Sequence, residues 1–246
     1  MQLEIFATGS KANCIVLTDN KGRMLMLDCG IPMQAIYRAV GFKPTALDAC
    51  LVSHVHADHI KAAPEMLKAF MPVYMSIMTA ELGKIDKWSP TLRLAEEGKP
   101  IRVGKWVIRP FDTYHDAPGS LGFVVRHTEE NVKVCYATDT GFIKYTFPNM
   151  NVLLVECNYL DEILEQRKDE IGERYLRLKE NHMSLNRLKS YLQKVDKTCL
   201  RQIVLLHLSD NNASSDRMCR EIKEATGATV SIADAGMTIN LDECPF

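Results

Sequence analysis

Four potential metal ligands, His54, His56, Asp58 and His59, fall within six residues directly after the short apolar run 49–52. A run of that length ending in a turn reads as a buried strand, so the histidines lie in a loop at a strand end. Such a loop can aim alternate side chains at different points. His54-Val55-His56-Ala57-Asp58-His59 therefore reads as a metal site rather than as satisfied core histidines, because imidazole with carboxylate suits borderline divalent ions such as zinc or manganese. On this spacing His54 and His56 face one ion, and Asp58 and His59 face a neighbour. The fold must then deliver further ligands from other strand ends. The chain offers three: His115 after 106–111, Asp139 after 134–137 and His207 after 203–206. Five histidines and two aspartates make two sites of about three protein ligands each, sharing one carboxylate and leaving positions for water and substrate.

The rest of the pattern supplies those strands. Runs 3–7, 14–17 and 24–27 read as a meander turned at Gly9-Ser10 and Asn20-Lys21-Gly22. Pro32 opens a helix to about Val40, ended by Gly41, and a helix over 60–70, a strand at 73–75 and a helix after Thr79 follow. Runs 101–103, 106–111, 121–126 and 132–137 read as a second strand group. Helices predominate afterwards: an amphipathic one over 159–178, one capped by Ser184 and running to about Val195, and one over 215–226. Runs 203–206, 229–232 and 237–241 read as the last strands. With no linker or repeat, residues 1–246 read as a single domain of α/β class, two sheets sandwiched between helical layers.

Charge narrows the partners. The net charge of −1 and a pI near 6.7 count against an electrostatic grip on a long phosphate backbone, while leaving a small charged substrate open. Residues 161–180 carry seven acids and five bases, unsuited to wrapping a polynucleotide. Eight cysteines stand singly, so they read as reduced thiols. The opening MQLEIFATGS has no basic leader and apolar core, and the longest uncharged run, 69–80, contains Pro72. The expectation is a cytoplasmic protein with no membrane partner.

The His54-Val55-His56-Ala57-Asp58-His59 stretch resembles the HxHxDH signature of the metallo-β-lactamase superfamily, and the later motifs match at His115, Asp139 and His207. The resemblance spans most of the chain. It implies the αββα sandwich, two mixed sheets flanked by helices, with His54, His56 and His115 on one ion, Asp58, His59 and His207 on a second, and Asp139 bridging. Thr8-Gly9-Ser10, Asn13-Cys14, Leu27-Asp28-Cys29-Gly30, Tyr114-His115-Asp116-Ala117, Ala137-Thr138-Asp139-Thr140-Gly141, Glu156-Cys157-Asn158 and the stretch from His207 through Asp210 to Asn212 are similar to the WalJ/YycJ-like nucleases. They are also similar to the phage anti-Pycsar enzymes, which cleave cyclic pyrimidine nucleotides. Only 67 positions separate Asp139 from His207, which leaves no room for a large inserted nuclease domain.

Asn181-His182-Met183-Ser184 resembles a motif of the phosphodiesterase branch, at a helix start that favours phosphate. There His182 would bond a phosphoryl oxygen or protonate the leaving oxygen. Asp58 and His182 are thus the catalytic candidates, and His54, His56, Asp58, His59, His115, Asp139 and His207 the metal ligands, for two divalent ions, Zn2+ first and Mn2+ as the alternative. The expected function is a dinuclear phosphodiesterase opening 3′,5′-cyclic nucleotides such as cCMP and cUMP to 5′-monophosphates. On the resemblance this would neutralise an antiviral defence signal, in the host cytoplasm if phage-encoded. The alternatives are a 5′→3′ exonuclease on single-stranded DNA and, of another class, a nucleotide-sequestering binding protein. A small nucleotide is the expected partner, and a homodimer the expected assembly. Four smaller features carry expectations of their own: His127 as a core or surface histidine, Trp88 and Trp106 as packing residues, Gly9-Ser10 with Asn13 as a tight hairpin, and the 160–178 stripe as a solvated face, a lid or a subunit contact.

Overall fold

Met24-Leu25-Met26-Leu27 and Leu47-Asp48-Ala49-Cys50-Leu51 are apolar at nearly every position, the pattern of strands covered on both faces. In the computed structural model they pair in parallel, which requires a crossover, and the helix Met33–Ala39 supplies it. The structure describes residues 1–209 and 211–242; Asp210 and Cys244 lie outside them. The chain divides into two compact units: Met1–Asp112 with Ala117–Val132 and the segment from Asp234, and Thr113–Asp116 with Lys133–Ala233.

In the first unit seven strands form one sheet, in the order Thr238–Asn240, Gln2–Ala7, Cys14–Thr18, Met24–Leu27, Leu47–Leu51, Val73–Met75 and Leu92–Leu94. The first four are antiparallel neighbours and the last four run parallel. Ligands of open parallel sheets gather beyond the carboxyl ends of the strands, and Asp28 and His54 both follow such ends. The unit also holds an antiparallel meander of Ile101–Val103, Trp106–Asp112 and Leu121–His127. The second unit is built on four parallel strands, Lys133–Ala137, Val152–Glu156, Gln202–Leu206 and Thr229–Ile232. Every residue of Val152-Leu153-Leu154-Val155-Glu156 is buried. Its four apolar side chains contribute roughly 1.5–3 kcal/mol each, enough to carry a carboxylate inward at the strand's end.

Several expected elements divide differently. The helix over 60–70 is two, Ala57–Ile60 and Ala63–Lys68, the second with Pro64 in its first turn. The helix placed after Thr79 begins at Ile77, because Ser76 caps it by accepting from the Thr79 N–H. The helix over 159–178 is three pieces, Asp161–Gln166, Lys168–Ile171 and Glu173–Asn181, interrupted at Gly172, whose φ of 54° and ψ of −127° no helix contains. Its stripe is used within the unit: Leu164, Tyr175 and Leu178 are buried against Tyr159. Strands Leu92–Leu94 and Val152–Glu156 have no counterpart in the sequence reading, whereas Ser184 does cap Leu185–Leu192, accepting from the Arg187 N–H. Trp106 is fully buried, but Trp88 is 93% exposed and packs nothing. The described cysteines are free thiols, and no helix is long and apolar enough to cross a membrane.

The ligand loop of the first unit is held by main chain. Asn13 N–H donates to the Asp58 carbonyl at 2.7 Å, Cys29 N–H to the His59 carbonyl at 2.8 Å, and Gly30 N–H to the Asn13 carbonyl at 2.9 Å. Gly30 sits where these segments converge: a Cβ there would lie 1.7 Å from the Asp58 carbonyl oxygen and 2.9 Å from the Asn13 nitrogen. Gly30→Ala must therefore displace backbone. It is expected to cost at least about 3 kcal/mol, a drop in Tm on the order of 10 °C. Gly98→Ala, at φ 72° but with nothing within 4 Å, should cost only about 1–2 kcal/mol. Equal Tm values for the two variants in a thermal melt would refute the close approach at Gly30.

Candidate functional site

In the first unit the ligand histidines are oriented by a buried carboxylate. Asp28, fully buried after the strand Met24–Leu27, accepts from the Ser53 N–H at 2.7 Å and the Ser53 hydroxyl at 2.9 Å. His59 Nδ1 lies 2.7 Å from Asp28 Oδ2, so Nδ1 carries the proton and Nε2 keeps its lone pair. That is the arrangement in which an outer carboxylate fixes the tautomer of a metal-ligating histidine. His59 Nε2 is 3.2 Å from Asp58 Oδ2, and Asn13 Nδ2 approaches both, at 3.0 Å and 3.2 Å respectively. His54, buried, has Nδ1 3.0 Å from the Ser53 hydroxyl and Nε2 3.1 Å from His56 Nδ1. Two imidazole nitrogens thus converge at one point, and a carboxylate oxygen with an imidazole nitrogen at another.

Asn13 also closes the hairpin turn, its side chain exchanging hydrogen bonds of 3.0 Å with the Gly9 N–H and carbonyl. The turn is a hairpin, as read from Gly9-Ser10, and the same asparagine reaches the ligands.

In the second unit the organiser is Glu156, fully buried at the end of Val152–Glu156. Its Oε2 accepts from the Thr140 N–H at 2.8 Å and the Met183 N–H at 3.2 Å. Its Oε1 lies 2.6 Å from His182 Nδ1 and 3.0 Å from His207 Nδ1. His207 Nδ1 is also 2.7 Å from Asp139 Oδ1. Asp139, Glu156, His182 and His207 each offer a ligand atom within 4.8 Å of the others. His115 joins the same unit, with Nδ1 3.3 Å from the Asn181 carbonyl and its ring 5.4 Å from that of His182. Its Nε2 is 3.1 Å from Asp116, which Arg177 holds at 2.7 Å.

Backbone strain marks the same positions. Asp28, Asp139 and His207 have φ of 59°, 41° and 53°. Each follows a buried parallel strand, and the left-handed turn stands its side chain over the strand end. Such conformations cost about 1–3 kcal/mol and persist where the surroundings over-determine them.

The electrostatics fit a cation. Asp139 and Glu156 are two buried carboxylates side by side, which is unfavourable without compensating positive charge. Burial lowers the His207 imidazole, but Asp139 and Glu156 outweigh it and push its pKa up to about 10. His182 is raised in the same way, burial being outweighed by the Glu156 carboxylate. Burial raises the Glu156 carboxyl, and His182 and His207 bring it below its ordinary value. His115 is lowered, chiefly by burial. The donors are hard and borderline, imidazole and carboxylate, and they fit the divalent ions that the sequence motif implies.

His127 is a core histidine as expected: its ring is 4.7 Å from Trp106, and Nδ1 accepts from the Glu130 N–H at 3.2 Å. With Nδ1 accepting from the backbone, the ring is held in the core, and its Nε2 faces Asp19 at 3.3 Å. Sequence reasoning gave no role to Asp28 or Glu156. Each does stand in a stretch that resembles the family, Leu27-Asp28-Cys29-Gly30 or Glu156-Cys157-Asn158, and each is a carboxylate directly ending an apolar run, Met24–Leu27 or Val152–Val155.

Two outcomes follow from these partners. Asp28→Ala is expected to lower divalent-metal affinity about 10- to 100-fold, read by competition with a chromophoric chelator; unchanged affinity would remove Asp28 from the site. In chelator-treated protein, the raised His182 and His207 contribute stability present below 6.5, the ordinary imidazole value, and lost as pH rises toward about 10. The Tm of that form should fall across this window. Because metal needs deprotonated imidazole, the stabilisation by added zinc should grow over the same range. A chelated protein whose Tm rises from 6.5 upward would contradict the ion pairing.

Comparison with known proteins agrees with this chemistry. The chain is 29% identical over 175 residues to the exodeoxyribonuclease WalJ of Streptococcus pneumoniae, covering 65% of this chain and 63% of that protein. It is 31% identical over 87 residues to an anti-Pycsar protein of Paenibacillus xerothermodurans, covering 33% and 34%. The chain thus spans less than two thirds of these curated relatives. Among solved structures it superimposes on the metallo-β-lactamase fold protein YhfI of Bacillus subtilis with a TM-score of 0.72, at 18% identity, over 97% of this chain and 98% of that one. That likeness shows the fold, the αββα class of two mixed sheets flanked by helices. A model of the beta-lactamase superfamily domain matches residues 23–208, and the chain belongs to that superfamily.

Proposed function

We propose that this protein is a divalent-metal-dependent phosphodiester hydrolase, and that its substrate is a 3′,5′-cyclic nucleotide, opened to the 5′-monophosphate. The observation that carries the reading is the second unit's cluster, in which His182 is seated on Glu156, Nδ1 to Oε1 at 2.6 Å, beside the donor groups of Asp139 and His207. Divalent ions held by His54, His56, Asp58, His59, His115, Asp139 and His207 would supply Lewis acidity toward phosphoryl oxygens. The chain's own groups do the rest. The Glu156 carboxylate raises the His182 imidazole above its ordinary value, which suits the ring to deliver its Nε2 proton to a leaving ribose oxygen. Burial lowers the His115 imidazole below its ordinary value, with Nδ1 directed at the Asn181 carbonyl. Asp28 holds His59 in one tautomer.

The choice of a small cyclic substrate rests on charge. In the second unit Arg167 pairs with Glu170, Arg177 with Asp116, Lys179 with Glu165, Lys189 with Glu221, and Arg217 with Glu162 and Glu221. Polynucleotide binding needs clustered basic side chains available to phosphates, and these are already engaged by acids. A second reading, a 5′→3′ DNA exonuclease, is favoured by the longer match to WalJ, 175 residues against 87 for the anti-Pycsar protein.

The test is turnover of cCMP, cUMP, cAMP, cGMP and a 5′-phosphorylated single strand with added Mn2+ or Zn2+. Metal-dependent release of 5′-monophosphate with the strand intact is expected. His56→Ala should abolish it, and His182→Ala should lower kcat about 10²- to 10⁴-fold. Progressive shortening of the strand, with affinity falling steeply in salt, would select the exonuclease. Tight nucleotide binding without turnover would select the sequestering protein.

A further inference from the structure

We infer that Tyr114 and Phe142 form a stacking platform for the nucleobase of the substrate, an inference that rests on the nucleotide phosphodiesterase reading above. The two rings stack with centroids 3.7 Å apart and planes 25° from parallel. They remain 42% and 44% exposed, whereas Trp106, Tyr136 and Phe123 are essentially fully buried. An aromatic pair left open to water on its outer surface gains little as core.

The pair is built into the frame of the ligand cluster. Tyr114 immediately precedes His115, and Phe142 follows Asp139 by three positions. Thr140, fully buried, joins their loops: its hydroxyl accepts from the Tyr114 N–H at 3.0 Å and donates to the Phe142 carbonyl at 2.8 Å. Gly141 N–H donates to the Tyr114 carbonyl at 2.8 Å. A Cβ on Gly141 would lie 2.3 Å from the Glu180 carbonyl oxygen, so this backbone passes directly against the end of Glu173–Asn181. The next residue, Ile143, is buried while Phe142 stays 44% exposed. The rings are therefore carried by the two loops that also carry Asp139 and His115, tied together through Thr140 and Gly141, which places the pair next to those ligands in the chain, where the base of a nucleotide with its phosphoryl group at the ligands would stack.

The chemistry of such a surface is specific in one respect and tolerant in another. Every base has a π face, and stacking contributes about 1–3 kcal/mol per base, roughly five- to a hundredfold in affinity. A stack without edge donors distinguishes a nucleotide from a sugar phosphate but reads the base identity weakly. The base of a cyclic nucleotide and the terminal base of a DNA strand would use it alike.

The test compares binding of CMP and AMP with that of ribose 5-phosphate to the zinc-loaded full chain, by calorimetry, in wild type, Tyr114→Leu, Phe142→Leu and the double variant. Leucine keeps apolar cover and removes the π face. Wild type should bind both nucleotides about tenfold more tightly than ribose 5-phosphate, and the double variant should close that gap to within about twofold while holding ribose 5-phosphate as before. The same variants should raise KM more than they lower kcat, on cyclic nucleotides or on a 5′-phosphorylated strand according to which is turned over. A gap that survives in the double variant, no gap in wild type, or a parallel loss of ribose 5-phosphate binding would each overturn the platform. A wild type that shows the gap but hydrolyses no phosphodiester would overturn the functional reading and leave the platform standing.

Discussion

Two fully buried carboxylates, Asp28 and Glu156, organise the histidines of their respective units. A desolvated carboxylate must be surrounded by donors or become neutral, and each is placed at the end of an apolar strand whose burial draws it inward. The donors it collects are the ones chemistry needs. Asp28 gathers the Ser53 backbone and hydroxyl and the His59 ring. Glu156 gathers the Thr140 and Met183 backbones and the His182 and His207 rings. One physical requirement, satisfying a buried anion, thus sets ring orientation, tautomer and proton occupancy together.

The strand ends explain why those anions are where they are. A parallel strand closes with its last carbonyls and side chains directed at one edge of the sheet, and a sharp turn there lets the next residue stand over that edge. Asp28, Asp139 and His207 take the left-handed conformation to do so, a strain that short polar residues tolerate better than branched ones. Gly30 and Gly141 serve the same crowding differently, each allowing backbone to pass where a Cβ would meet a carbonyl oxygen. Ligand precision in both units therefore comes from main-chain packing, and the side chains inherit it.

How much of this was legible in the sequence follows from the range of each signal. His54 through His59 announce themselves because four donors crowd one turn, and His115, Asp139 and His207 because each ends a recognisable strand pattern. The strand Val152–Glu156 went unread: a short all-apolar run carries no period, and buried strand and buried helix look alike. Glu156 is visible in the Glu156-Cys157-Asn158 stretch, but its role is not, because that role depends on being desolvated, a property of the assembled sheet. The helix over 159–178 reads as continuous because its apolar spacing persists across Gly172, while the break is a backbone angle that composition only permits. Ser184 was legible because an N-cap is a purely local bond.

The fold fixes what the site can hold more firmly than what it acts upon, since one scaffold serves many reactions. Substrate choice has to come from groups outside the ligand set, and here charge and aromatic surface pull in different directions. The ion pairing of Arg167, Arg177, Arg217 and Lys189 withdraws four cations of the second unit from any phosphate backbone. An exposed ring pair beside His115 and Asp139, by contrast, suits a base in either kind of substrate. The two features are compatible for a single nucleotide, which presents one base and one phosphodiester. A polynucleotide would ask for the cations as well, at every step along the strand, and that difference in repeat is what separates the two substrates physically.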